Sequence, residues 1–388
     1  MKKIIKEVYH LGTLRILFPF YYKVHSLGKI NRNKVIFIEA NLPGLSNSLQ
    51  VLYDRLKSEG GYELKVHCLK EVSASKGVYI RNAMHLIKDM ADAGCVVLCE
   101  GSRLVSCIPK RKETKVLQLW HGCGAFKKFG FSTSELLFGG DRRENSRYSY
   151  YKNYDLVTVS SPEVVWAYKE AMNMETDSQV IRPLGVSRTD VYFDLDYVRQ
   201  AREDVIKRLP WIRNRKMILY APTFRGSVGE AKAPDALDLD RLYKEFGAEY
   251  VLLIKQHPLA KNRPVIPERL KEFARDVSDE MSIEELLCSS DLCISDYSSL
   301  IFEYSLFEKP MIFYAYDLEN YGDWRGFYYD YEELTPGPVV KTMEELVNAI
   351  HEVKDAFDVS QVRHFKEKFM SACDGHATDR IMKMIKMD

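Results

Sequence analysis

DLCISDYSSLIFEYSLFEKPMIFYAY, residues 291–316, reads as a strand, a tight turn, a helix and a second strand. DLCISD (291–296) and PMIFYAY (310–316) are short apolar runs with polar or proline boundaries, and residues near 298–308 carry apolar side chains at helical spacing. Two strands joined through a helix make a parallel βαβ unit, because a hairpin would need only a short turn. The class is therefore α/β.

The same alternation extends outward in both directions. Upstream in this half, MILYAPT (217–223) and EYVLLIKQHP (249–258) read as strands, with helices near 238–246, 282–289 and, downstream, 343–356. Before a charged, partly helical stretch that Pro210 ends (190–216), strands are expected at 35–40, 62–69, 94–101, 115–120, 155–160 and 179–185, and helices at 45–58, 78–91 and 161–173. Two doubly wound halves joined by a link predict a cleft between them, with ligands beyond the carboxyl ends of the strands. The expected divisions are an arm over 1–34, an N-terminal domain over 35–195, a C-terminal domain over 196–360, and a last helix over 361–388 that packs back across the domains.

Composition narrows the partners. The 388 residues are 46% hydrophobic, enough for two cores, and 56 Lys and Arg balance 55 Asp and Glu, so no global field points to nucleic acid. Eight scattered cysteines lack CxxC spacing, which predicts reduced thiols and a cytoplasmic chain. No apolar run is long enough to span a bilayer. The first 34 residues are nevertheless basic and aromatic: Lys2, Lys3, Lys6, Arg15, Lys23, Lys29, Arg32 and Lys34 stand against Glu7 alone. Ile4, Ile5, Val8 and Leu11 at helical spacing fit either a helix packed on the first domain or one lying on an anionic membrane surface. The second alternative makes the protein peripheral on the inner face of the cell membrane.

Four strand ends carry residues capable of chemistry: His121-Gly122-Cys123, Thr223-Phe224-Arg225, Lys255 with His257, and Asp296 with Ser298 and Ser299 opening a helix. Each alone has a plain structural reading, the last as a helix cap. Together, two imidazoles, two cations and a hydroxyl-rich helix start on the rims of two sheets suit a ligand bearing more than one phosphate.

At these residues the chain resembles a known family. QLWHG followed by Lys127-Lys128, then YAPTFR, KQHP, SDYSSLIFEYSLFEKPMIFYAYDLENY and the terminal DGHATDRI (374–381) resemble the blocks of the CDP-glycerol glycerophosphotransferases, which build teichoic acid and related poly(alditol phosphate) chains. The resemblance implies a GT-B-like fold, two Rossmann-like domains facing each other across a central cleft. It implies transfer of glycerol phosphate, or another alditol phosphate, from CDP-glycerol to a hydroxyl of a lipid-diphosphate-linked saccharide or growing polymer, with release of CMP. His121 falls on the family's histidine base. His257 is expected as a second catalytic residue, binding or polarising the donor diphosphate with Arg225 and Lys255; Thr223, Phe224, Asp296, Ser298, Ser299 and Glu303 fall on substrate-binding blocks, while Arg188 in LGVSRTD matches a further arginine. No tightly bound cofactor or metal is expected, although soluble Mg2+ can assist a diphosphate donor. One departure stands out: Cys123-Gly124 occupies the place of the family's Thr-Pro. That leaves a CDP-ribitol donor open as the alternative. A nucleotide-sugar glycosyltransferase or epimerase shares the fold, and a lipid-surface scaffold would explain only the arm. One or few additions per acceptor, as a primase-like member makes, are expected.

Overall fold

Residues rich in valine, isoleucine and leucine build two parallel six-stranded sheets among the residues described, which are 2–71, 73–134, 136, 139–226 and 231–386 of the computed structural model. Met1, Met387 and Asp388 of the expected arm and last segment, and the side chains of Lys2 and Lys3, lie outside the described residues.

The first sheet comprises β1 (Asn31–Glu39), β2 (Glu63–Cys68), β3 (Ala93–Leu98), β4 (Lys115–Gln118), β5 (Leu156–Thr158) and β6 (Ile181–Arg182), in the order β2-β1-β3-β4-β5-β6. The second comprises β7 (Lys216–Ala221), β8 (Tyr250–Ile254), β9 (Ala274–Asp276), β10 (Leu292–Ser295), β11 (Met311–Tyr314) and β12 (Val339–Val340), in the order β12-β11-β10-β7-β8-β9. All pairings within both sheets are parallel. The order of the second sheet is that of a dinucleotide-binding fold, reversing direction between β7 and β10, and the order of the first reverses between β1 and β3. These switch points are where ligand crevices open.

The α/β class and the doubly wound halves expected from the sequence are present. Helices Asn47–Glu59, Lys76–Met90, Leu195–Arg208, Leu239–Phe246, Ile283–Ser289 and Met343–Ala356 fall where periodicity put them, and a Thr342–Glu345 capping box starts the last of these. Residues 298–308 form a shorter helix, Leu300–Tyr304, continued by a 3-10 turn to Phe307.

The chain divides into two compact units. The first holds 1–122, 129–190 and 372–388; the second holds 123–128 and 191–371. Three segments thus lie apart from the divisions drawn on sequence. The arm belongs to the first unit, residues 123–128 belong to the second, and the last segment splits at 371. Within the first unit Asp190 accepts hydrogen bonds from the amides of Ala377 and Thr378, at 3.1 and 2.7 Å, capping helix Ala377–Lys386. Ile381 and Met382 of that helix complete the core formed by Val35, Phe37, Leu52 and Leu117.

The arm runs as helix Lys2–His10, a π-helical stretch Leu11–Leu17 and helix Phe18–His25. Leu14, Phe18 and Tyr22, spaced four apart, are buried, and the Tyr22 hydroxyl accepts from the Arg111 amide at 3.2 Å. Ile4, Ile5, Val8, Leu11, Ile16 and Phe20 are exposed. The arm is packed on its unit along one stripe and leaves a second, apolar stripe uncovered. No helix among the described residues is long and apolar enough to cross a membrane.

Candidate functional site

In the first unit the chemistry gathers just beyond β3 and β4. Trp120 is held with φ at +59, a left-handed conformation that costs a non-glycine residue about 1–2 kcal/mol. Its surroundings impose the conformation: its amide donates to Gln118 Oε1 at 3.1 Å, its ring meets Phe129 and Tyr168, and Gln118 Nε2 is itself fixed on Glu100 O at 2.7 Å. This twist turns the next side chain, His121, outward, where it is exposed and stacked on the indole at 4.8 Å.

His121 Nδ1 lies 2.9 Å from the carbonyl oxygen of Cys99. A carbonyl can only accept, so Nδ1 carries the proton and Nε2 presents a lone pair. The imidazole is thereby oriented as a base. Burial pushes the Cys99 thiol up to about 12, Glu39 adds to the rise, and the charge of Arg188, half-buried at the start of the 3-10 helix Ser187–Phe193, acts against it. His121 thus meets Cys99, a residue whose backbone role no side-chain pattern announces. Gly122 ends the first unit's segment.

The second unit places its candidates at the switch point between β7 and β10. Asp296, buried after β10, accepts from the Thr223 amide at 2.9 Å and hydroxyl at 3.0 Å, and pairs with Arg225 Nη1 at 3.0 Å. Arg225 also forks onto Asp317, with Nε at 2.5 Å and Nη2 at 2.9 Å, and lies within 5.3 Å of the rings of Tyr297, Tyr316 and Tyr321. Burial alone would lower its pKa; Asp296 and Asp317 outweigh that and raise it. All three guanidinium nitrogens are thus engaged inside the protein. Arg225 and Asp296 fasten the strand ends together.

Lys255 is also held within its own unit. Its ammonium donates to Ser278 O at 2.8 Å and to Met281 O, and burial lowers its pKa against the pull of Glu284 and Asp279. It holds the loop after β9. Glu303, expected on a ribose, is buried and accepts from Tyr192 Oη at 3.1 Å.

Cys123 is 2% exposed. Gly124 next to it has φ at +65, and a Cβ there would stand 2.3 Å from the Phe302 ring. A proline, with φ near −65°, cannot adopt this backbone, which gives the departure at Cys123-Gly124 a physical reason.

His257, Phe224, Ser298 and Ser299 remain at the rim. His257 Nδ1 accepts from the Leu259 amide at 3.2 Å, which puts the ring proton on Nε2, and its ring packs on Phe224 at 4.8 Å. Ser298 Oγ makes a long 3.4 Å contact with the Leu300 amide, and Ser299 stands at the cap position of its helix without a side-chain cap. Sequence reasoning missed Asp317, although it lies inside the quoted block, and Gln256, whose Oε1 is buried without a hydrogen-bond partner beside His257.

The family model for CDP-glycerol:poly(glycerophosphate) glycerophosphotransferase matches residues 20–387. The teichoic acid ribitol-phosphate primase of Bacillus spizizenii is 34% identical over 99% of this chain and 97% of its own. The teichoic acid glycerol-phosphate primase of Bacillus subtilis is 29% identical over 88% of this chain and 89% of its own. The teichoic acid poly(ribitol-phosphate) polymerase of Bacillus spizizenii is 34% identical, and the chain spans 58% of its length. The solved wall teichoic acid polymerase TagF superposes with a TM-score of 0.75 at 23% identity, over 99% of this chain and 96% of that one, and so shares the fold. With the family model covering nearly all of it, the chain belongs to the CDP-glycerol:poly(glycerophosphate) glycerophosphotransferases.

Proposed function

We propose that this enzyme transfers glycerol phosphate from CDP-glycerol to a hydroxyl of a lipid-diphosphate-linked saccharide or teichoic-acid-like polymer. The observation that carries the reading is the fixed tautomer of His121, a strand-end imidazole whose Nε2 lone pair is set by the Cys99 carbonyl. In the proposed step His121 Nε2 takes the acceptor hydroxyl proton as that oxygen bonds to the phosphorus bearing glycerol. The bond from that phosphorus to the bridging oxygen breaks, and CMP leaves with the bond pair. His257 Nε2–H and the Ser298 and Ser299 hydroxyls supply donors to the diphosphate, held in register by the Arg225, Asp296 and Asp317 cluster.

Relatives named for ribitol phosphate support a second donor, CDP-ribitol, on equal terms. The uncovered apolar stripe of the arm, with Lys6 and Arg15 beside it, supports seating on an anionic membrane where a lipid-linked acceptor is available.

The test measures CMP release from CDP-glycerol and from CDP-ribitol, with a disaccharide on a short-chain prenyl diphosphate as acceptor, and reads product masses. His121→Ala should keep donor affinity while turnover falls by about a hundredfold or more, the usual loss with a general base. One or few alditol-phosphate units per acceptor are expected. Turnover close to that of the unaltered enzyme removes His121 from the role, and a long ladder at low enzyme removes the priming assignment.

A further inference from the structure

The first unit contains a cavity of 280 Å³ beneath the arm, whose walls include Tyr9, His10, Glu71, Tyr79, Arg103 and Tyr150. Three phenol rings, a carboxylate and an imidazole around so small a volume make an unusual lining for a structural void, which is ordinarily apolar. Glu71 follows β2, and among the described residues its carboxylate has no hydrogen bond or ion pair. Burial, with the nearby charge of Glu100, pushes it up to about 7, so near neutral pH it can donate as well as accept.

Arg103 is positioned rather than free. Its guanidinium lies over the Tyr150 ring at 4.4 Å and pairs with Glu144 at 3.0 Å, while its Nε is buried without a hydrogen-bond partner. Lys76 lies over the Tyr9 ring at 5.0 Å. Arg103 acts on Glu71 across the cavity and is itself paired with Glu144, so its charge is answered by carboxylates. Aromatic faces for C–H contacts and paired donors and acceptors for hydroxyls suit a neutral polyhydroxylated ring. The volume falls just below the roughly 300–1,000 Å³ of drug-sized sites, the scale of one sugar.

Position strengthens the chemistry. Arg103 follows by four residues Cys99, whose carbonyl orients His121, and four residues reach at most roughly 14 Å. The opposite wall is the arm itself, whose outer stripe exposes Ile4, Val8 and Leu11. Base, cavity and lipid-facing stripe thus occur in one unit.

We propose that this cavity binds a sugar ring of the lipid-linked acceptor and so sets which hydroxyl reaches His121. The inference rests on the transfer reading above in supposing such an acceptor.

The experiment omits the donor. Saturation-transfer NMR follows a disaccharide on a short-chain prenyl diphosphate with the full-length protein and with Glu71→Ala, Glu71→Gln and His121→Ala. Saturation should reach the sugar-ring protons with the unaltered protein and with His121→Ala. Glu71→Ala should weaken binding about tenfold, and Glu71→Gln, which keeps shape and hydrogen bonding, about threefold. Should the alanine variant fail to fold, the glutamine variant carries the test. Binding within twofold of the unaltered protein in the folded Glu71 variants overturns the proposal. So does saturation confined to the prenyl chain, or displacement of the sugar signal by inorganic phosphate. Sugar binding without any transfer in the complete assay would instead overturn the activity and leave this cavity's role standing.

Discussion

A carbonyl facing one imidazole and an amide facing the other set the two ring protons: His121 keeps its proton on Nδ1, and His257 keeps its own on Nε2. One ring is therefore arranged to accept at its outer nitrogen and the other to donate. If His257 donates to the donor diphosphate, His257→Ala should weaken CDP-glycerol binding about tenfold, from about 1.5 kcal/mol for a hydrogen bond to a charged group. Glutamine, whose amide reaches the Nε2 position, should restore part of that affinity. Isothermal titration separates the outcomes, and equal losses for both variants would remove the hydrogen bond from the account. The same scale decides the departure at Gly124. Restoring the family proline there should cost about 3 kcal/mol or more, because φ of +65 is closed to it and the new ring meets Phe302. Urea unfolding of Gly124→Pro measures this, and an unchanged midpoint would mean that the loop simply rearranges.

At the scale of elements, the arm carries two apolar stripes, one packed on its unit and one exposed. Phe18→Ala on the inner stripe should lower stability by about 3–5 kcal/mol through cavity formation, whereas Ile4→Ser, Val8→Ser and Phe20→Ser together on the outer one should leave unfolding unchanged. The outer triple variant should instead lose most binding to phosphatidylglycerol vesicles in co-sedimentation. Retained binding would assign the exposed stripe to something other than lipid. Sequence alone showed this amphipathicity but left packed and lipid-facing alternatives open, since both need apolar residues at helical spacing. The long helices were legible because their period repeats, as in Met343–Ala356. β9 and β12, three and two residues long, were not. The site divided similarly. Strand ends located His121, His257, Arg225 and Lys255, but the direction of a long cation depends on which oxygens the fold brings near it. Lys255 meets carbonyls from after β9, and Arg225 meets Asp317, 92 residues away. Neither meeting leaves a mark in the local pattern.

For the whole molecule, the division into units has a direct mechanical reading. Helix Ala377–Lys386 is capped by Asp190, and Gly185 leaves room for no Cβ because Ala372 O would lie 2.2 Å from it. Removing 372–388 uncovers the apolar partners of Ile381 and Met382, worth about 1.5–3 kcal/mol for each side chain, and takes from the Asp190 carboxylate the two amides it caps. Amide exchange on the truncated chain should show the first unit opened while protection in β7, β8 and β10 persists; protection retained in β1, β3 and β4 would contradict it. During synthesis the ribosome must make the second unit, roughly 180 residues, before that helix exists. At roughly 5–20 residues per second this is a wait of roughly 10–35 s in which an incomplete amino-terminal core is exposed. The nascent chain therefore matures out of order, its earlier half closing last, and the interval offers chaperones a binding surface that the finished enzyme no longer has.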